Sequence, residues 1–305
     1  MVASPAVRTD ELTLTDADGI DVFARSWAPE GDAKAIVLIL HGMSEHSERY
    51  GRLAKPLVAD GFAVYALDHR GHGRTAEATG AGKTGPNGFE GLVTSVRAVH
   101  DRALAEAGDV PVVVLGHSMG SIVAQRYVQL HPVVGFVLSG AVAPAPELGE
   151  MVTGLRGLVD AGMGDEPLDT MSGFNESFEP SRTRYDWLSR DEAEVDTYIA
   201  DPFCGDDMQM TTAFVADMLG MLADAAEPAN IDQIADGTPV LLLTGDKDPV
   251  SNGGEAVRGL EKLYRDAGLD VTAHYYPDAR HEVFNETNRD EVTEHLRTWL
   301  AGVLG

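Results

Sequence analysis

Apolar and polar residues change their spacing several times along the chain, and each change marks an element. The stretch ELTLTDADGIDVFARSW, residues 11–27, alternates apolar and polar positions around the turn signal Asp18-Gly19, which predicts a β-hairpin. AIVLIL (35–40), FAVYAL (62–67), VPVVVL (110–115), VVGFVLSG (133–140) and PVLLLTG (239–245) are short, nearly continuous apolar runs of the kind that strands buried on both faces require. VTAHYY (271–276) follows as a further strand. Helical spacing lies between them, around 47–60, over 91–107 with Leu92, Val96, Val99 and Ala103 on one face, and after residue 121 with Ile122, Tyr127 and Leu130 toward the sheet. Helices are also expected around 252–267 and from the loop PDARHEVF through Trp299. Strands alternating with helices imply an α/β fold, a mostly parallel sheet with helices on both faces. The pattern stops at residue 144 and resumes near 231. We therefore expect a core of residues 1–144 and 231–305 interrupted by an inserted lid, 145–230.

Composition narrows the function. The 305 residues are 44% hydrophobic, enough for a sizeable core. The formal net charge of −26 excludes nucleic acid as a partner, because phosphate binding draws on clustered Lys and Arg. The charge is uneven: residues 145–235 hold 20 Asp and Glu against 4 Arg and no Lys, so −16 of the −26 sits there. A surface this acidic repels anionic bilayers and aids solubility. The single cysteine, Cys204, excludes an intramolecular disulfide framework and a multi-thiolate metal site, and is read as inert packing. The N-terminal stretch MVASPAVRTDELTLTDADG lacks the apolar segment of a secretory signal, and no apolar run is long enough to span a bilayer. A cytoplasmic, non-spanning protein is expected. No repeat or low-complexity segment is evident. GAGKTG (80–85) imitates a phosphate loop, but Glu77 stands where a Walker loop needs glycine and no strand directly precedes it.

Gly116-His117-Ser118-Met119-Gly120 satisfies G-x-S-x-G between a predicted buried strand and a helix, where the chain must turn so sharply that side chains at 116 and 120 would clash. Such a turn lifts Ser118 above the sheet at a helix start, whose free amides favour a developing oxyanion. Ser118 is the expected nucleophile. It needs a base, and the base needs an anion to fix its tautomer. On such a strand–turn–helix scaffold the chain order is serine, acid, histidine. The histidines after Ser118 are His131, His274, His281 and His295. His131 closes a helix, His274 lies within a strand and His295 within the last helix. His281, on the loop after the final strand, is the expected base. The acid should follow PVLLLTG, where both Asp246 and Asp248 stand, and spacing does not separate them. The oxyanion donors are expected to be the backbone amides of Met119 and of Met43, in the loop HGMSEH after the first core strand, with His41 orienting that loop by hydrogen bonding.

Taken in order, LHGMSEHSERY, ALDHRGHGRT, LGHSMGS, LLLTGDKDPV and DARHEVFNE resemble the monoacylglycerol lipase and lysophospholipase-like branch of the α/β-hydrolases. The resemblance covers the sheet domain nearly end to end. It implies the α/β-hydrolase fold and carboxylic ester hydrolysis without a metal or organic cofactor. It also selects Asp248, the last residue of a G-x-x-D pattern, over Asp246, which falls at a variable position and is read as a solvated loop carboxylate. Glu45 and Arg49 match positions that shape the polar alcohol pocket in well-known members, although a surface ion pair is an equal reading of them. Two positions depart from the family. Ser121 replaces a glycine and should slightly alter the floor of the site, and Glu282-Val283-Phe284 follows His281 without the second nearby histidine of the mammalian lipase.

Seven of the ten methionines fall in the insertion. Phe214, Met218 and Met221 recur at i, i+4 and i+7, an apolar stripe that either packs the insertion onto the core or lines an acyl channel, and both uses are compatible with one helix. The acidic insertion disfavours substrates with phosphate head groups. The expected activity is hydrolysis of a small-molecule ester, a monoacylglycerol or another neutral medium-chain monoester. Alternatives are a lysophospholipase, a carbon–carbon bond hydrolase with the same triad and a non-catalytic ligand-binding member of the fold.

Overall fold

The computed structural model describes residues 7–305, so the first six residues of the N-terminal stretch read above lie outside the described residues. The alternating stretch forms the expected hairpin, β1 (Arg8–Thr15) and β2 (Asp21–Ala28). Its turn is fixed by the Asp16 carboxylate, which accepts from the amides of Asp18 and Ile20 at 3.0 Å. The apolar runs form β3 (Ala35–Leu40), β4 (Phe62–Leu67), β5 (Val112–His117), β6 (Gly135–Ser139) and β7 (Pro239–Gly245), with β8 (Asp270–Tyr276) after them. The described residues build one eight-stranded sheet of order β1-β2-β4-β3-β5-β6-β7-β8, antiparallel at the β1–β2–β4 edge and parallel from β4 onward.

The continuous apolar runs follow from this topology. In β3, Ile36, Leu38 and Leu40 point into one apolar layer while Val37 and Ile39 point into the other, so every position must be apolar. The first layer is closed by helices α2 (Glu90–Ala107), α3 (Met119–Leu130) and α7 (Glu255–Asp266). The second is closed by α1 (Gly51–Ala59) and α8 (Arg289–Leu304). Leu92, Val96, Val99 and Ala103 of α2 are all buried, as their spacing requires. One assignment is corrected: Ile122 and Tyr127 face the sheet, but Leu130, in the last turn of α3, is 45% exposed.

Residues between β6 and β7 form an insertion with three helices of more than two turns, α4 (Leu148–Leu158), α5 (Glu192–Ala200) and α6 (Thr212–Ala225). α6 packs on both α3 and α4. Gly82 of the GAGKTG loop accepts from Thr211 N and Thr211 Oγ1 with its carbonyl, so that loop seats the start of α6. Among the described residues no helix is long and apolar enough to cross a membrane. The loops after β3, β5, β7 and β8 leave the carboxyl ends of parallel strands, the edge where open α/β sheets bind ligands.

Candidate active site

The turn from β5 into α3 puts Ser118 at φ 49°, ψ −120°, a left-handed conformation that costs a non-glycine residue about 1–3 kcal/mol. Surrounding structure enforces it. The Ser118 amide donates to Ser139 O of β6 at 3.0 Å. A Cβ at position 116 would lie 2.4 Å from Gly120 O, and one at 120 would lie 2.1 Å from Leu40 O, so only glycine permits this close approach of strand and helix.

His281 sits on the loop after β8, and its Nδ1 donates to Asp248 Oδ1 at 3.0 Å. Both residues are buried. Asp248 Oδ1 also accepts from the Val250 amide at 2.9 Å. The two loops approach because residue 245 is glycine: a Cβ there would fall 2.0 Å from Ala279 O. Burial alone would raise the Asp248 carboxyl, but the charge and hydrogen bond of His281 hold it below the ordinary carboxylate range. Burial likewise opposes the His281 imidazolium, yet Asp248, with Glu282 and Glu45 further away, lifts its pKa above the usual 6.5. Asp246 has a different task. Its Oδ1 accepts from the Asp278 amide at 2.7 Å, so it pins the turn after β8 and is more than the solvated carboxylate expected.

Ser118, His281, Met43 and Met119 line one cavity of about 660 Å³. Its larger part is apolar, with Leu148, Leu155 and Leu158 of α4 facing Val215, Leu219 and Leu222 of α6. Its polar end holds Glu45, His117 and Glu282. The His117 ring lies 4.9 Å from that of His281, and its Nδ1 donates to Ser139 O at 3.1 Å. Burial and the neighbouring His281 keep His117 below the usual histidine value, which favours its neutral form. His41 ties down the loop after β3: its Nε2 accepts from the His69 amide at 2.9 Å, which leaves Nδ1 to donate to Gly42 O at 2.7 Å.

Four residues singled out in the sequence stay off the cavity. Met218 lines the cavity, but Phe214 and Met221 do not. Phe214 turns toward the core and packs edge-on against His72 and Phe89, with ring centroids 5.5 and 5.4 Å apart. A helix advances about 100° per residue, so the cavity face of α6 is the neighbouring stripe Val215, Met218, Leu219, Leu222. Arg49 also stays off the main cavity, behind Glu45 and Glu282, and the ion pair is buried where a surface pair was the alternative. Ser121 does not form part of the floor. It is fully buried, and its Oγ accepts from the Val142 amide at 3.0 Å.

Trp187 and α4 were not singled out in the sequence, and Glu282 was noted only as a departure from the family pattern. Leu148, Met151, Leu155 and Leu158 do recur at helical spacing, a signal open to reading, whereas Trp187, whose ring lies 5.1 Å from His281, carries no local sign of its position. Among the described residues, His46, Asp201 and Cys204 each offer a donor atom within 4.8 Å of the others. His46 Nε2 is already bonded to Asp201 Oδ2 at 2.8 Å, and burial pushes the Cys204 thiol up, away from the thiolate that a metal would need. The group reads as a hydrogen-bonded seam between the insertion and the core.

The family model described as serine aminopeptidase, S33, matches residues 31–288. The chain belongs to this family. Within it, the chain is similar to the monoacylglycerol lipase of Mycolicibacterium smegmatis, 29% identical over 96% of this chain and 98% of that protein. It is also similar to human monoglyceride lipase, 28% identical over 90% of this chain and 88% of that protein. Among solved structures, a highly thermostable carboxyl esterase from Bacillus coagulans in complex with glycerol superposes with a TM-score of 0.91. That esterase is 28% identical, with 98% of this chain and all of that chain covered.

Proposed function

We propose that this protein is a serine hydrolase of neutral carboxylic monoesters, of monoacylglycerol type, in which Ser118 is the nucleophile, His281 the base and Asp248 its orienting acid. The observation that carries the reading is the 3.0 Å Asp248–His281 bond opening, together with the strained Ser118, onto one largely apolar cavity of about 660 Å³. A cavity of this size lies within the usual range for small-molecule ligands. Similarity to monoacylglycerol lipases and to a carboxyl esterase supports the same substrate class.

His281 takes the Ser118 proton as the hydroxyl attacks the ester carbonyl carbon. The Met43 and Met119 amides stabilise the oxyanion. Collapse of the tetrahedral intermediate breaks the bond to the alcohol oxygen, which leaves with the proton held on His281. Water activated by neutral His281 then releases the fatty acid and restores Ser118. The acyl chain occupies the apolar part between α4 and α6, and the alcohol meets the Glu45–Glu282 end. In this reading residues 1–144 and 231–305 form the catalytic core and 145–230 its lid. A buried lone cysteine supports a cytoplasmic setting.

The test is an ester panel at equal acyl length. Medium-chain monoacylglycerols should be hydrolysed with higher kcat/KM than lysophosphatidylcholine or lysophosphatidylglycerol, and the reverse ranking overturns the substrate assignment.

A further inference from the structure

The polar end of the cavity carries a charge arrangement that ester hydrolysis itself does not require. Arg49 lies between two carboxylates: Nη1 donates to Glu45 Oε2 and to Glu282 Oε1, and Nη2 donates to Glu282 Oε2, each at 2.7 Å. The side chains are 12%, 3% and 6% exposed for Arg49, Glu45 and Glu282. Burial opposes ionisation of both acids. Arg49 overcomes it, holding Glu45 down to about 2 and Glu282 below the ordinary carboxylate range. One guanidinium against two ionised carboxylates leaves a buried net charge of −1.

The orientation of this cluster gives the charge a direction. Glu45 and Glu282 line the main cavity, while Arg49 faces a water-sized void of about 20 Å³ behind them, beside Arg52 and Asn285. A ligand in the cavity therefore meets the carboxylates first. The acidic insertion contributes little to that encounter. Of its acids, Asp169 lines the cavity, and it already accepts from the Met171 and Ser172 amides and pairs with Arg184 at 3.3 Å. The discrimination against anionic substrates that its composition suggested has a better seat in the Glu45–Arg49–Glu282 cluster.

We propose that Glu282 is a specificity-determining residue that, with Glu45, makes the alcohol end of the site accept head groups bearing hydroxyl or ammonium donors and reject head groups bearing phosphate or carboxylate. The inference rests on the esterase reading above. Losing the charge of either carboxylate would leave the other neutralised by Arg49, and Glu282 is the one to change because Glu45 also accepts from the Gly42 amide and the Tyr50 hydroxyl.

The experiment compares decanoylglycerol, decanoylcholine and decanoylglycerol phosphate, with p-nitrophenyl decanoate as a head-group-free control. For the wild type, kcat/KM on the first two should exceed that on the phosphate ester by about tenfold or more. The ratio should survive about 1 M NaCl, where the Debye length is about 3 Å, because a buried charge is screened little. Glu282→Gln should cut the ratio about tenfold. A ratio that collapses in salt overturns the proposal, since it assigns the discrimination to the acidic surface, and so does a ratio unchanged in Glu282→Gln. If that variant does not fold, the wild-type salt series decides the matter. Wild type inactive on all four esters refutes the esterase reading itself, whereas activity without head-group discrimination refutes only this inference.

Discussion

The insertion has two unlike regions. Its middle, around Asp186–Asp191, is stitched to the loop that carries His281. The Arg280 guanidinium donates to the carbonyls of Asp186 and Ser189, the Glu282 amide to Leu188 O at 2.8 Å, and Ser189 Oγ to Asn285 O at 2.8 Å. The buried Glu286 carboxylate accepts from the amides of Arg190 and Arg280 at 3.0 and 2.9 Å and from Arg190 Nε at 2.8 Å. Helix α4 lacks this fastening. It packs on α6 through apolar side chains and leaves Met151 51% and Leu158 39% exposed at the cavity. Only part of what the chain inserts between β6 and β7 is therefore built like a cover. The stitched part is scaffold for the loop that carries His281, held by directional bonds with fixed geometry, whereas α4 is held by contacts that tolerate sliding.

The comparison is broken most severely by uncoupling the base. Asp248→Asn should lower kcat by about 10⁴-fold because the productive tautomer of His281 is lost. Asp246→Asn, which touches the Asp278 turn and the neighbouring Lys247 ammonium, should be mild. Steady-state kinetics of the pair checks this, and equal losses or the opposite order contradict the assignment. Next in size is Glu286→Ala, which leaves the half-buried donors of Arg190 and Arg280 without their acceptor. It should cost about 3–5 kcal/mol in urea unfolding and reduce kcat as well, since the same carboxylate holds both the insertion and the His281 loop. A loss below about 1 kcal/mol would show that the stitched region is not scaffold. The smallest effects belong to α4: Met151→Ser and Leu158→Ser should leave stability within about 0.5 kcal/mol. They should raise KM a few-fold for decanoyl esters but not for acetyl esters. A large stability loss would erase the distinction between the two regions.

The same contrast explains what could be read from sequence. The strands were legible because burial on both faces leaves no choice of residue, as in AIVLIL and PVLLLTG. The tight turn at Ser118 was legible because glycine at 116 and 120 answers a local steric demand. Choosing between Asp246 and Asp248 was not local, since it depends on which carboxylate points at a histidine more than thirty residues away. Family register chose Asp248, the carboxylate that the structure brings to His281. The α6 stripe was left between core packing and cavity lining because Phe, Met, Val and Leu are equally apolar, and only the packing partner decides which face turns to the cavity. Glu282 and Glu286 look like ordinary surface acids in a chain with 49 Asp and Glu, because their partners Arg49 and Arg190 are remote in sequence.

Fluorophosphonate labelling, followed across pH with the labelled peptide identified by mass spectrometry, tests the central claim most directly. The account predicts a single adduct on Ser118, absent from Ser118→Ala. It also predicts that the labelling rate falls on acidification with a midpoint above 6.5, because attack needs neutral His281 and the carboxylates around that imidazole raise its pKa. An unlabelled wild type, an adduct on another residue, or labelling that persists in Ser118→Ala would contradict it.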